Sequence, residues 1–117
     1  MIELNRVSKI YGENQNKIYA LRIKSLNIEI GEVVTIMGPS GSGKTTLLNM
    51  IGAMDKPTQG KISIDGNDIS KLPENKLSKY RKETIGFVFQ RYYLLPNIDV
   101  NGNVLIHLIL CRSIFFV

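Results

Sequence analysis

The sequence predicts an α/β protein, a phosphate-loop core joined to an antiparallel β-subdomain, and three observations carry that expectation. Gly38-Pro39-Ser40-Gly41-Ser42-Gly43-Lys44-Thr45-Thr46 fits the pattern G-x-x-x-x-G-K-[ST], with a β-favouring run before it and a helical pattern after it. Alternating apolar residues over 2–7 and 18–30, with an Asp-Gly turn signal at 65–66, predict a small antiparallel sheet. The nearly unbroken apolar run Ile85-Gly86-Phe87-Val88-Phe89 predicts a strand covered on both faces, as a central parallel strand is.

In chain order, Ile2 to Val7 is the first predicted strand, and the polar cluster Glu13-Asn14-Gln15-Asn16-Lys17 marks a loop. Leu21, Ile23, Leu26, Ile28 and Ile30 then predict one or two strands with one covered face. Gly31-Glu32 turns the chain into a buried strand, Val33-Val34-Thr35-Ile36-Met37. Leu47, Leu48, Ile51 and Met54 follow helical spacing, and Asp55-Lys56-Pro57 stops that helix. Residues 60–69 predict a hairpin, and 72–82, polar with Leu77 and Tyr80 three apart, a short surface helix. Residues 91–96 form an aromatic loop, and a last helix begins near Asn101 to Asn103 and runs through Leu110.

A chain of 117 residues suits one modest domain. With 44% hydrophobic and 21% charged residues its composition is globular and excludes disorder. The net charge of +5 comes from scattered lysines, which a solvated surface and a polyanionic nucleotide account for better than a nucleic-acid partner. The single cysteine, Cys111, excludes an internal disulfide and a cysteine zinc site and fits a reducing compartment. No signal peptide is visible, and the apolar run 104–117 is too short to span a bilayer and carries His107 and Arg112. A cytoplasmic chain without direct membrane insertion is expected.

The residue types of the glycine-rich stretch follow from anion chemistry. Glycines at 38, 41 and 43 let backbone N–H groups approach phosphate oxygens closely. A helix starting near Gly43 adds unpaired N–H groups and the positive end of its dipole. Lys44 supplies a mobile charge for the β- and γ-phosphates, and the Thr45 hydroxyl a hard oxygen for Mg²⁺. An incidental glycine turn would explain the same letters less completely.

Three further stretches make the chain resemble the ATP-binding subunits of ABC transporters. Tyr11-Gly12 resembles that family's aromatic A-loop, which implies a ring stacked on adenine. Residues 55–66 resemble the link and hairpin after the phosphate-loop helix, and 85–90 the strand ending in the Q-loop glutamine. On that resemblance Gln90 touches Mg²⁺ and the attacking water and reports to a membrane-spanning permease, and a second ATP-binding subunit completes the nucleotide site. Tyr19-Ala20-Leu21 and Leu94-Leu95-Pro96 resemble the branch serving lipoprotein release, macrolide export and antimicrobial-peptide resistance.

The resemblance covers residues 1–110, the N-terminal part of the family's domain, and 111–117 form an atypical tail. Gly102 stands where relatives tend to have glutamate, and His107 reads as a helix residue. No signature loop, Walker B aspartate, adjoining glutamate or switch histidine occurs in the sequence. The expectation is therefore an ABC ATPase domain truncated after the Q-loop, peripheral on the inner face of the membrane when complexed, which binds ATP-Mg and hydrolyses it little. A non-functional or frameshifted remnant and another P-loop enzyme, such as a small-molecule kinase, are the alternatives.

Overall fold

The first strand is hydrogen-bonded along both of its edges, and the sheet is built outward from it. The computed structural model describes residues 1–88 and 94–110, in two compact units that divide after Pro73. In the first unit β1 (Ile2–Tyr11) pairs antiparallel with β2 (Ile18–Ile28) on one side and with β3 (Gln59–Ile64) on the other. The short β4 (Asn67–Asp68) completes a four-stranded sheet of order β2-β1-β3-β4. This is the antiparallel subdomain that the early alternation and the Asp-Gly turn predict.

Register decides which residues form the core. Leu4 lies between Leu26 and Ile62, and Ile2 between Ile28 and Ile64, so apolar rows cross the sheet on one face. Val7, paired with Ile23, is fully buried as well, although strict alternation would send it to the face opposite Leu4. A bulge resolves the conflict. The register against β3 shifts between Asn5 and Ser8, and Arg6 takes the extra residue at φ 48°. Gly60 fits beneath that bulge, at φ +92°, where an added Cβ would collide with the Arg6 carbonyl oxygen.

Asp65 and Gly66, with φ of 48° and 78°, make the tight turn from β3 to β4, both left-handed as a type I′ hairpin turn requires. Beyond it Ser70 acts as a buried clasp, its hydroxyl accepting from the Ile62 N–H at 2.6 Å and its own N–H donating to Asp68 at 2.9 Å. Burial pushes the Asp68 carboxyl up, but the Ser70 bonds and the charges of Lys61 and Lys71 outweigh it and leave the pKa lowered. Leu47, Met50 and Ala53, from α1 (Lys44–Ile51) and the turn after it, are buried, as are Ile62, Ile64 and Ile69. Each fully buried aliphatic side chain contributes about 1.5–3 kcal/mol.

Several sequence expectations are corrected. Val33 to Met37 forms no strand and pairs with none among the described residues, and Val33 and Met37 are 94% and 85% exposed. The run has the propensity of a buried strand and, among the described residues, no neighbours to supply its ladder. Residues 85–88 likewise form no strand; Ile85 and Gly86 are buried and Val88 is exposed. Finally α1 stops at Ile51, earlier than Asp55-Lys56-Pro57, because the chain turns back just past Gly52, where the Ala53 N–H donates to the Met50 carbonyl at 3.1 Å and the Met54 N–H to the Asn49 carbonyl at 2.8 Å. Ala53 then takes φ 54°, and Met54, expected on the apolar helix face, is half exposed. Ile30 is likewise exposed, beyond the end of β2.

The second unit contains α2 (Glu74–Thr84) and α3 (Val100–Leu110). Arg81 donates to Glu74 at 2.7 Å along α2. At the start of α3 the Asp99 carboxylate accepts from the Gly102 N–H at 2.7 Å, a normal N-cap bond. Asn103 binds the preceding loop through Leu95, Ile98 and Asp99. An added Cβ at Gly102 would meet the Ile98 side chain, so the glycine accommodates the residue before the cap. Among the described residues no helix is long and apolar enough to cross a membrane. Gln90, the rest of 89–93 and the tail 111–117 lie outside the described residues.

Because Gly60 combines a left-handed φ with contact on Arg6, Gly60→Ala is expected to destabilise the chain by roughly 1–3 kcal/mol. Urea unfolding midpoints of the variant and parent chains check this.

Candidate functional site

Two groups of residues in the first unit form the candidate site, the glycine-rich loop before α1 and a polar cluster at the end of β1. The loop turns on a Ser42 N–H to Pro39 carbonyl bond of 3.2 Å, and Gly43 enters α1 as N-cap at φ 91°. Glycine is needed there twice over. The φ is left-handed, and an added Cβ would strike the Ala20 carbonyl of β2 and lie 3.1 Å from Leu21. The start of α1 is thereby seated on β2.

Gly43 offers no side-chain acceptor, and the first turn of α1 contains no acidic residue. The N–H groups of that turn thus have no intrahelical acceptor and no carboxylate to neutralise the helix dipole. Lys44 lies in the same turn. Its ammonium donates to the carbonyls of Gly38 and Pro39, both at 2.8 Å, and to the Ser42 hydroxyl at 3.4 Å. All three acceptors are neutral. An arrangement of open N–H groups and an unneutralised cation can receive an anion with several oxygens. Ser40 and Gly41 lie exposed at the loop's turn; Thr45 is exposed and Thr46 half-buried in the first turn of α1. Among the described residues no three His, Cys, Asp or Glu side chains gather as a metal-binding group.

The second group is centred on Asp55. The Tyr11 hydroxyl donates to its Oδ2 at 2.7 Å, the Lys56 N–H to its Oδ1 at 2.7 Å, and Lys9 forms an ion pair with Oδ1. The Lys9 ammonium also donates to the Lys56 carbonyl at 2.8 Å and stands 4.9 Å from the centre of the Tyr11 ring. Thr58 ties the neighbouring backbone together, its hydroxyl accepting from the Ile10 N–H at 3.0 Å and its N–H donating to the Ser8 carbonyl at 2.8 Å.

The electrostatics follow from these contacts. The hydrogen bond to Asp55 raises the Tyr11 pKa, with burial and the Asp55 charge adding to it, while the nearby Thr46 side chain pulls the other way. Burial pushes the Asp55 carboxyl up, but the bonds from Lys9, Tyr11 and the Lys56 backbone prevail and leave it lowered. Tyr11 is therefore close to Thr46 of the loop motif, so the structure brings together two stretches far apart in sequence. Gln90 lies outside the described residues. Lys9 and Asp55 escaped the sequence reading, although Lys9 and Tyr11 two apart on one strand place both side chains on one face.

The chain is similar to known proteins over nearly its whole length. A family model described as ABC transporter matches residues 21–113. The ATP-binding protein MJ0796 of Methanocaldococcus jannaschii is 49% identical over 109 residues, 93% of this chain and 46% of that protein. The macrolide export ATP-binding/permease protein MacB of Hyphomonas neptunium is 46% identical over 89% of this chain and 16% of its own length. The bacitracin export ATP-binding protein BceA of Halalkalibacterium halodurans is 43% identical over 92% of this chain and 43% of its own. A solved dimeric, post-hydrolysis structure of the MJ0796 cassette, bound to ADP and Pi, superposes with TM-score 0.87 at 46% identity. It is matched over 97% of this chain and 49% of that one. The chain thus spans about half, or less, of the length of the relatives it matches.

Since the lowered Asp55 carboxyl contributes stability while ionised, that contribution is complete above the unfolded-chain pKa of about 3.9 and is lost as pH falls through the lower folded-state value. Asp55→Asn is expected to lower the melting temperature at neutral pH, with the gap from the parent closing below about pH 3.9. Melting curves across an acid series read this directly.

Proposed function

The chain belongs to the ABC transporter family, and from that membership we propose that it carries the ATP-binding function of a transporter, holding ATP-Mg at the start of α1. The observation that carries the proposal is Lys44, a cation in an uncapped helix turn whose acceptors are all neutral oxygens. A polyphosphate supplies the negative charge that this turn lacks. Gly38, Pro39, Ser40, Gly41, Ser42 and Gly43 form the cradle, with backbone N–H groups toward the phosphates, and Thr46 closes the first turn. Lys44 moves part of its bonding from the loop carbonyls to the β- and γ-phosphates.

Mg²⁺, when bound with the nucleotide, draws charge from the phosphate oxygens. The Thr45 hydroxyl is the ligand that this loop offers it, and the family resemblance adds Gln90 as a second contact and as the link to the membrane partner. Tyr11 takes the adenine base on its ring, beside Thr46. MacB joins ATP-binding and permease functions under one name, and the solved MJ0796 cassette is dimeric. By analogy this chain works against a membrane-spanning permease and a second ATP-binding subunit, at the cytoplasmic face of the membrane. Macrolide and bacitracin export in the relatives favour the export branch, with the transported substrate chosen by the permease.

Phosphoanhydride hydrolysis needs Mg²⁺ held from two sides and a positioned water. These 117 residues offer Lys44 and Thr45 and, on the resemblance, Gln90, without a Walker B aspartate or its adjoining glutamate.

A thermal scan tests the proposal. ATP-Mg at about 100 times its dissociation constant is expected to add roughly 2.7 kcal/mol of stability, and Lys44→Ala to remove the shift. An equal shift in both chains would overturn the assignment.

A further inference from the structure

Binding of a base by Tyr11 does not by itself explain why that ring is held so firmly. Tyr11 is the last residue of β1, 42% exposed, so its backbone is paired on one side only by the end of β2. An exposed tyrosine in that position would ordinarily sample several rotamers. Here its hydroxyl is fixed on Asp55 at 2.7 Å, and one face of the ring is covered by the Lys9 ammonium, 4.9 Å from its centre. Lys9 is itself anchored, through Asp55 and the Lys56 carbonyl at 2.8 Å, so it cannot leave the ring without breaking both bonds.

We propose that the Lys9–Asp55 pair positions the Tyr11 ring, fixing its plane and covering one face so that a purine base stacks on the opposite face alone. The inference rests on the nucleotide-binding proposal and adds two positioning residues to it. Neither Lys9 nor Asp55 touches the nucleotide; both act through the ring. Asp55 follows the α1 cap, and the Thr46 side chain in the first turn of α1 lies near the same phenol. The base platform is therefore tied to both ends of the helix whose first turn receives the phosphates, which sets base and triphosphate at a constant separation. A ring ordered before binding loses less entropy when the base arrives.

The test separates base from phosphate by measuring dissociation constants for ATP-Mg and for inorganic tripolyphosphate-Mg with the full chain. Asp55→Asn and Tyr11→Phe, the latter removing only a hydroxyl, are expected to weaken ATP by about three- to tenfold. Tripolyphosphate, which has no base, is expected to bind both variants and the parent alike. In a Tyr11→Ala background Asp55→Asn is expected to have no further effect on ATP, because the group it positions is gone. If Tyr11→Ala weakens ATP while Asp55→Asn and Tyr11→Phe do not, the positioning role is wrong and the nucleotide site stands. If Asp55→Asn weakens both ligands equally, Asp55 is only a structural support and the inference falls. If Lys44→Ala leaves both ligands bound as before, the nucleotide site itself is wrong and the inference falls with it.

Discussion

Pairing of β1 on both edges is the constraint on which the rest of the first unit depends. A strand held on both sides cannot slip by one residue without turning Leu4 and Val7 to solvent and breaking two ladders at once. The Arg6 bulge is the adjustment that keeps both residues inward. The same fixed register sets what happens at the far end of the strand. Lys9 and Tyr11 emerge at the level where the chain leaving α1 passes, so Asp55 meets both. Core and candidate site are consequences of one alignment.

Much of this was legible in the sequence because it depends on local signals. The hairpin of β3 and β4 is encoded by Asp65-Gly66, the sheet by alternation, and the helix start by Gly43-Lys44. What failed was the assignment of strands to apolar runs. Val33 to Met37 and Ile85 to Val88 have β-favouring side chains, but a strand exists only with a paired neighbour, and side chains do not report one. The helix end was misjudged for a different reason. Pro57 and Asp55 are evident breakers, yet Ala53 acts first, its left-handed turn letting the Ala53 and Met54 N–H groups satisfy the Met50 and Asn49 carbonyls of α1.

The candidate site divides along the same line. The glycine-rich loop is contiguous, so its residues and their chemistry could be named from spacing alone. The Asp55 cluster joins residues more than forty positions apart, and nothing in the local pattern of Lys9 or Asp55 announces their meeting. Tyr11 could be proposed as a platform from its resemblance to an aromatic loop; its tether could be found only in three dimensions.

The Lys44 contacts with Gly38 and Pro39 have a consequence for selectivity. The ammonium is in hydrogen-bonded company before any ligand arrives, so association exchanges partners and does not fill a vacancy. A monovalent oxyanion gains little over two well-placed backbone dipoles and the water it leaves behind. A polyanion, drawing on several N–H groups at once, shifts that exchange decisively. On the proposed nucleotide assignment, the loop's own oxygens would set a threshold of charge density that disfavours singly charged anions in the cradle.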